Sequence, residues 1–274
     1  MVPSYLIGLR EGLEAALIVG LTLGVLTKIK KPEYRPAIWW GVAVAIIISI
    51  AIAVVIQLVG ASLEGRAEEI FEGAMMIFAA AVLTWMIFWM QRMSRRLQQG
   101  LETNVRRAAT QGQNWGLFGI AFFAVLREGI ETALFLTAAA MNASTQETMI
   151  GGLAGIFTAV ILGWGLFATT IRLDVRRFFL LSSALMIFFA AGLFAHGIHE
   201  FNEAGLIPAV INPLWDINHI LDEKSTLGSI LKALFGYNGN PSLTEVLAYL
   251  GYFVAIYFGI RSSPKLEKSI VQVG

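Results

Sequence analysis

The chain has 274 residues, a net charge of +1, 57% hydrophobic residues and only 14% charged ones, a balance that excludes an ordinary soluble domain and points to a bilayer. It contains no cysteine, which excludes a disulfide scaffold, a thiolate metal site and a cysteine nucleophile, so any bound metal must use oxygen or imidazole ligands. The first residues lack a basic lead-in and carry two glutamates where a signal peptide needs an uncharged stretch, so they read as the first membrane span.

A helix needs about 20 mostly apolar residues to cross a hydrocarbon core. Seven windows meet that length, near 4–27, 37–60, 70–91, 115–140, 150–170, 179–201 and 244–262. No ten-residue apolar–polar alternation marks barrel strands, so the spans are expected to be helical. The connections sort by charge. Lys28, Lys30, Lys31 and Arg35 follow span one, and Arg92, Arg95, Arg96, Arg106 and Arg107 follow span three. Arg172, Arg176 and Arg177 follow span five, and Arg261, Lys265 and Lys268 end the chain. Between these lie acidic or neutral connections, with Glu64, Glu68, Glu69 and Glu72 before and at the start of span three and Glu147 after span four. The positive-inside rule then places the N-terminus outside and the C-terminus in the cytoplasm. Trp39, Trp40, Trp85 and Trp89 fall where an aromatic belt is expected at the cytoplasmic interface.

The sequence also repeats. "LREGLEAAL" at 9–17 matches "LREGIETAL" at 126–134, and "AMMIFAAAVL" at 74–83 matches "ALMIFFAAGL" at 184–193. Three spans recurring as three spans start from opposite membrane faces, which predicts an inverted repeat. Repeat A covers 1–100 and repeat B 112–203, followed by an external loop over 204–243 and a seventh span, all in one membrane domain over 1–274. Within the loop, "STLGSILKALFG" fits a short amphipathic surface helix.

Each repeat carries Arg-Glu-Gly-x-Glu inside its first span: Arg10, Glu11 and Glu14, then Arg127, Glu128 and Glu131. The glutamates are i,i+3 neighbours and Arg lies four residues before the second, so the three side chains share one helix face. An ionised residue at the centre of a membrane helix costs about 2.5–3.5 kcal/mol even on the lenient scale, so the face must turn into the bundle. Mutual salt bridging alone does not account for it, because four carboxylates against two guanidiniums leave two negative charges that require a proton or a cation. Carboxylate ligands without thiolate suit hard cations, among which ferric and ferrous iron, manganese, calcium and magnesium remain open. Pairing of Arg10 with Glu14 and of Arg127 with Glu131 is expected to orient the carboxylates.

A second group lies toward the external side. "HGIHEFNE" places His196, His199, Glu200 and Glu203 on one helical stripe, and Glu72 opens span three beside an apolar run. Glu72, Glu203, His196 and His199 are candidate metal ligands, whereas Glu64, Glu68 and Glu200 also suit plain solvation at a helix end. "HEFNE" approximates the zinc-protease pattern H-E-x-x-H, but its fifth residue is Glu203, which leaves an intramembrane metalloenzyme as the minor reading.

The paired motifs, "FEGAMMIFAAAVLTWMIFWM" at 71–90, "EAGL" at 203–206 and "LFGYNGNPSLTEV" at 234–246 together resemble the bacterial EfeU-type iron permeases. These belong to the oxidase-dependent iron transporter family that includes the fungal high-affinity iron permeases. The resemblance covers essentially the whole chain. It implies a transporter rather than an enzyme, carrying ferrous or ferric iron across the cytoplasmic membrane as substrate, with no permanently bound cofactor. It implies that Arg10, Glu11, Glu14, Arg127, Glu128 and Glu131 serve permeation and that Glu72 and Glu203 match external acidic positions. His196 and His199 match no family motif. Extracytoplasmic iron-binding, oxidase or peroxidase proteins are the implied partners, alongside membrane lipid, and no nucleic acid is expected. A permease for manganese or another hard divalent cation is the alternative within transport.

Overall fold

A computed structural model of the chain describes residues 1–141, 144–168, 175–223 and 225–262, with side chains described for all of these except 90–99, 101, 166–168, 175–177, 226 and 233. Arg172, Lys265 and Lys268, and the side chains of Arg92, Arg95, Arg96, Arg176 and Arg177, lie outside the described residues. Among the described residues all regular structure is helical: α1 (Val2–Lys28), a 3-10 turn (Pro32–Tyr34), α2 (Arg35–Ala61), α3 (Arg66–Thr110), α4 (Asn114–Met141), α5 (Thr145–Ala168), α6 (Val175–Glu203), α7 (Thr226–Phe235) and α8 (Leu243–Arg261).

Among the described residues, five stretches are long and apolar enough to cross a membrane: Pro32–Ala61, Arg66–Trp89, Thr145–Gly165, Phe178–Glu203 and Leu243–Arg261. α1 and α4 have the length, at 27 and 28 residues, but each carries the three charges of its Arg-Glu-Gly-x-Glu motif. Large apolar side chains cover the outside of the bundle, including Trp40, Ile47, Leu58, Phe157 and Leu181, each at least 65% exposed. Such a surface is stable only against lipid or another apolar partner.

Close backbone approach sets the pairing of the helices. α1 and α5 run side by side in the same direction, with Gly8 against Gly152, Gly12 against Ile156 and Ala159, and Ala16 against Gly163. α2 and α4 do the same, with Gly41 against Phe118 and Phe122 and Ser49 against Gly129. α3 and α6 run antiparallel, Gly73 meeting Gly197 and Phe201. The main core lies where α3, α4, α6 and α8 meet, around Met76, Leu83, Phe135, Met186, Leu193 and Tyr252. A second core at the other end joins Leu26, Ile38, Val105, Ala109 and Leu117.

Two elements depart from the sequence reading. The basic stretch after residue 91 was expected to be a connection, yet α3 continues through it to Thr110, 45 residues in all. Its Arg, Gln, Leu and Glu residues are strong helix formers, Glu102 stands one turn from Arg106 at 3.7 Å, and Val105 and Ala109 are buried. The 204–243 segment does contain the expected short helix, capped by Ser225 Oγ on Gly228 N and ended by Gly236 at φ +68°. That helix packs inward rather than lying free on a surface, because Gly236 meets Gly192 of α6 backbone to backbone, where a side chain on either residue would collide. Backbone bonds from Leu214 N to Pro241 O, Ile217 N to Gly239 O and Leu243 N to Ile211 O close the segment on itself.

Candidate metal centre

α1 and α4 cross at their charged motifs. Four of their six charged residues are almost fully buried: Arg10 is 0% exposed, Glu11 1%, Glu128 3% and Glu131 6%. Gly12 and Gly129, inside the motifs, permit this seating. A Cβ at Gly12 would come within 2.7 Å of Ala159 Cβ on α5, and one at Gly129 within 2.6 Å of Ser49 Cβ on α2. Each motif helix is therefore pressed against its neighbour by its glycine face while the charged face turns inward.

One oxygen from each of Glu11, Glu128 and Glu131 lies within 4.8 Å of the other two, the only such group of three potential ligands among the described residues. Glu11 Oε2, Glu128 Oε2 and Glu131 Oε2 are all buried with no hydrogen-bond partner among those residues. Buried carboxylate oxygens are costly unless something positive or a proton meets them. Three buried carboxylates thus converge from two helices, each keeping one oxygen without a hydrogen-bond partner among the described residues, and oxygen donors in such a group suit a hard cation. Glu14 stays outside this group of three, at the side of Arg10.

The two arginines are held differently. Arg10 Nη1 donates to Glu11 Oε1 at 2.8 Å and to Met86 Sδ at 3.2 Å, and its Nη2 lies 3.2 Å from Glu14 Oε1. Arg127 Nε donates to Glu131 Oε1 at 2.8 Å, with Glu128 Oε1 farther away at 3.9 Å. The Arg127 guanidinium lies over the Trp89 ring, 4.3 Å from its centroid, and remains 31% exposed. Trp85, by contrast, is 59% exposed, as a belt residue is. Met86 and Trp89 were not singled out from the sequence as site residues. Trp89 was read as part of the belt, and no periodicity distinguishes a tryptophan that faces lipid from one that faces an arginine.

The outer candidates fall in a separate place. His196 is buried and lines a small cavity of about 20 Å³ with Ser4, Thr148, Leu193 and Lys232. His199 stands between two acids, its Nε2 3.4 Å from Glu203 Oε1 and its Nδ1 3.4 Å from Glu245 Oε2. Glu245 is 2% exposed and accepts from Asn238 Nδ2 on both carboxylate oxygens, at 2.9 and 3.0 Å. Glu203 is largely exposed and Glu72 half-buried. Among the described residues these histidines and acids form no group of three within ligating reach of one another. Glu245 was missed in the sequence because it reads as an ordinary N-terminal acid of the last span, below Ser242, whose hydroxyl caps the helix by accepting from Glu245 N at 3.2 Å.

Long apolar helices around a buried group of carboxylates define an integral membrane protein. The chain matches the Iron permease FTR1 family over residues 1–263 and belongs to it. It is 35% identical over 256 residues to the ferrous iron permease EfeU of Yersinia pestis, covering 93% of this chain and 91% of that one. To the protein of the same name in Escherichia coli O6:H1 (strain CFT073) it is 36% identical over 256 residues, covering 93% of each. To that of Shigella sonnei it is 35% identical over 267 residues, covering 97% of each. Family and relatives are named as permeases, which are transporters and not enzymes. No solved structure matches the chain.

Proposed function

We propose that this protein carries ferrous iron into the cell across the cytoplasmic membrane, and that the ion passes through the cage formed by Glu11, Glu128 and Glu131. The observation that carries the reading is the convergence of three buried carboxylates from two separate helices, each with one oxygen that has no hydrogen-bond partner among the described residues. Charge supports the divalent ion. Glu11, Glu14, Glu128 and Glu131 bring four negative charges and Arg10 and Arg127 two positive ones, a deficit that one divalent cation cancels. The chemistry of the cage alone admits manganese, and the ferrous iron named for the relatives favours iron.

In this reading α1 and α4 cross the membrane with the five apolar helices, giving seven spans with the N-terminus outside. An inverted repeat relating α1–α3 to α4–α6 is supported by the matching partnerships of α1 with α5 and α4 with α2, and by Gly12 and Gly129 making equivalent contacts within them. Iron reaches the cage from the face that bears His196, His199, Glu72 and Glu203, delivered there by an extracytoplasmic partner. Arg10 and Arg127 hold Glu14 and Glu131 oriented between passages, and they hold affinity low enough for release. With no nucleotide-binding motif in the sequence, the drive comes from the membrane potential, the ion gradient or the delivering partner.

The test is radiolabelled iron uptake into proteoliposomes, with ferrous and ferric iron offered separately and manganese as competitor. Glu11→Gln, Glu128→Gln and Glu131→Gln are each expected to lower ferrous uptake at least about tenfold, the scale of one lost charged ligand. Wild-type rates in all three variants would sink the proposed cage, and stronger competition by manganese than by unlabelled iron would replace the substrate.

A further inference from the structure

Arg127 has one edge without a conventional partner. Its Nε is satisfied by Glu131, but its Nη2 is buried and meets no hydrogen-bond acceptor among the described residues. The guanidinium as a whole lies over the ring of Trp89, 4.3 Å from guanidinium carbon to ring centroid. An aromatic face attracts a cation through its quadrupole, most strongly for tryptophan and more strongly where water is scarce. One turn earlier on the same helix, Met86 Sδ accepts from Arg10. Both motif arginines are thus met by a single stripe of α3.

The repeat makes this arrangement one-sided. In the register that matches 74–83 to 184–193, an offset of 110 residues, Met86 and Trp89 fall on His196 and His199. Those histidines face the outer cavity and Glu245. The arginine seats therefore belong to the first repeat's third helix alone, at positions where the second repeat carries a different chemistry.

We infer that Trp89 is a positioning residue for the ion, seating Arg127 so that its Nε fixes Glu131 Oε1 and leaves Glu131 Oε2 turned to the cage. This rests on the cage proposed above. Without the ring, the Arg127 guanidinium, already 31% exposed, shifts toward water and takes Glu131 with it, so that the cage loses one of its three ligands. A tryptophan that merely filled space would change the amount of folded protein or the turnover rate, and would leave the affinity of the folded fraction as it was.

The experiment measures KM and maximal rate of ferrous uptake in proteoliposomes for Trp89→Phe, Trp89→Tyr and Trp89→Leu, with Glu131→Gln alongside and rates normalised to folded protein. KM is expected to rise about tenfold in Trp89→Leu, the equivalent of about 1.4 kcal/mol, and about two- to threefold in the two ring-bearing variants. A wild-type KM in Trp89→Leu while Glu131→Gln is impaired overturns the role of Trp89 and leaves the cage standing. A wild-type KM in both overturns the cage itself. Should Trp89→Leu not insert, the ring-bearing pair decides, since a KM unchanged from wild type in both is also a refutation.

Discussion

Arg10 is the more revealing of the two motif arginines to remove, because nothing in its surroundings can replace it. It is 0% exposed and touches Glu11 at 2.8 Å and Glu14 at 3.2 Å. At an effective dielectric of about 20, a pair of unit charges about 3 Å apart attracts by roughly 5 kcal/mol, most of which is offset by the cost of burying both. Removing only one partner keeps the burial cost and loses the attraction, which costs about 3–5 kcal/mol in measured cases. Arg10→Leu is therefore expected to lower the midpoint of thermal unfolding by roughly 10 °C in a chain of this size. Arg127→Leu should cost less than half of that, since water reaches a residue 31% exposed and screens what is left. The measurement is thermal unfolding of the detergent-solubilised protein, followed by the fluorescence of its 7 tryptophans. Two additions sharpen it. Adding Glu11→Gln to Arg10→Leu removes the stranded charge and should recover at least half of the loss, and saturating ferrous or manganous ion should recover part of it in the single variant. A larger loss in Arg127→Leu than in Arg10→Leu, or a double variant less stable than Arg10→Leu, would refute the charge reasoning.

Two further outcomes are expected. Gly129→Ala forces its new methyl to within 2.6 Å of Ser49 Cβ, a backbone-anchored atom that cannot swing away, so α2 and α4 must separate. It should destabilise by about 1–3 kcal/mol and weaken ferrous uptake, whereas Gly24→Ala, which meets nothing within 4 Å, should leave both unchanged; equal behaviour of the two would discount the role of close helix approach. Because the chain has no cysteine, single cysteines report membrane sidedness without background. In intact cells an impermeant maleimide should label Glu64→Cys and reach Glu33→Cys only after lysis, and the opposite pattern would invert the topology.

What could be read in the sequence was whatever the chain writes locally. The i,i+3 glutamates with their arginine mark one face of one helix, so the candidate ligands and their inward direction follow from a dozen residues. Length and apolarity mark the spans in the same way. Contacts between helices distant in sequence leave no such trace. Arg10 and Met86 stand 76 positions apart, and the spacing of neither helix announces that a thioether accepts from a guanidinium. α7 shows its amphipathic period and both caps, but the wedging of Gly236 onto Gly192 joins a helix-ending glycine to one inside α6, 44 residues apart, and neither announces the other.

The same limit explains why identical motifs end in unequal surroundings. From their sequences, Arg-Glu-Gly-x-Glu in α1 and in α4 should behave as equals, each arginine on its second glutamate. In the fold Arg10 takes both Glu11 and Glu14, while Arg127 binds Glu131 closely and stands off from Glu128. Glu14 is thereby drawn out of the group that Glu11, Glu128 and Glu131 form. The asymmetry comes from α3, which offers a thioether to one arginine and an indole face to the other. A cage of two exact halves would bind an ion equally from either side. This group has a tight, fully buried half and a looser, partly exposed half, and in the function proposed above the looser half, Arg127 with Glu131 on Trp89, is where an arriving or departing ion exchanges its ligands at least cost.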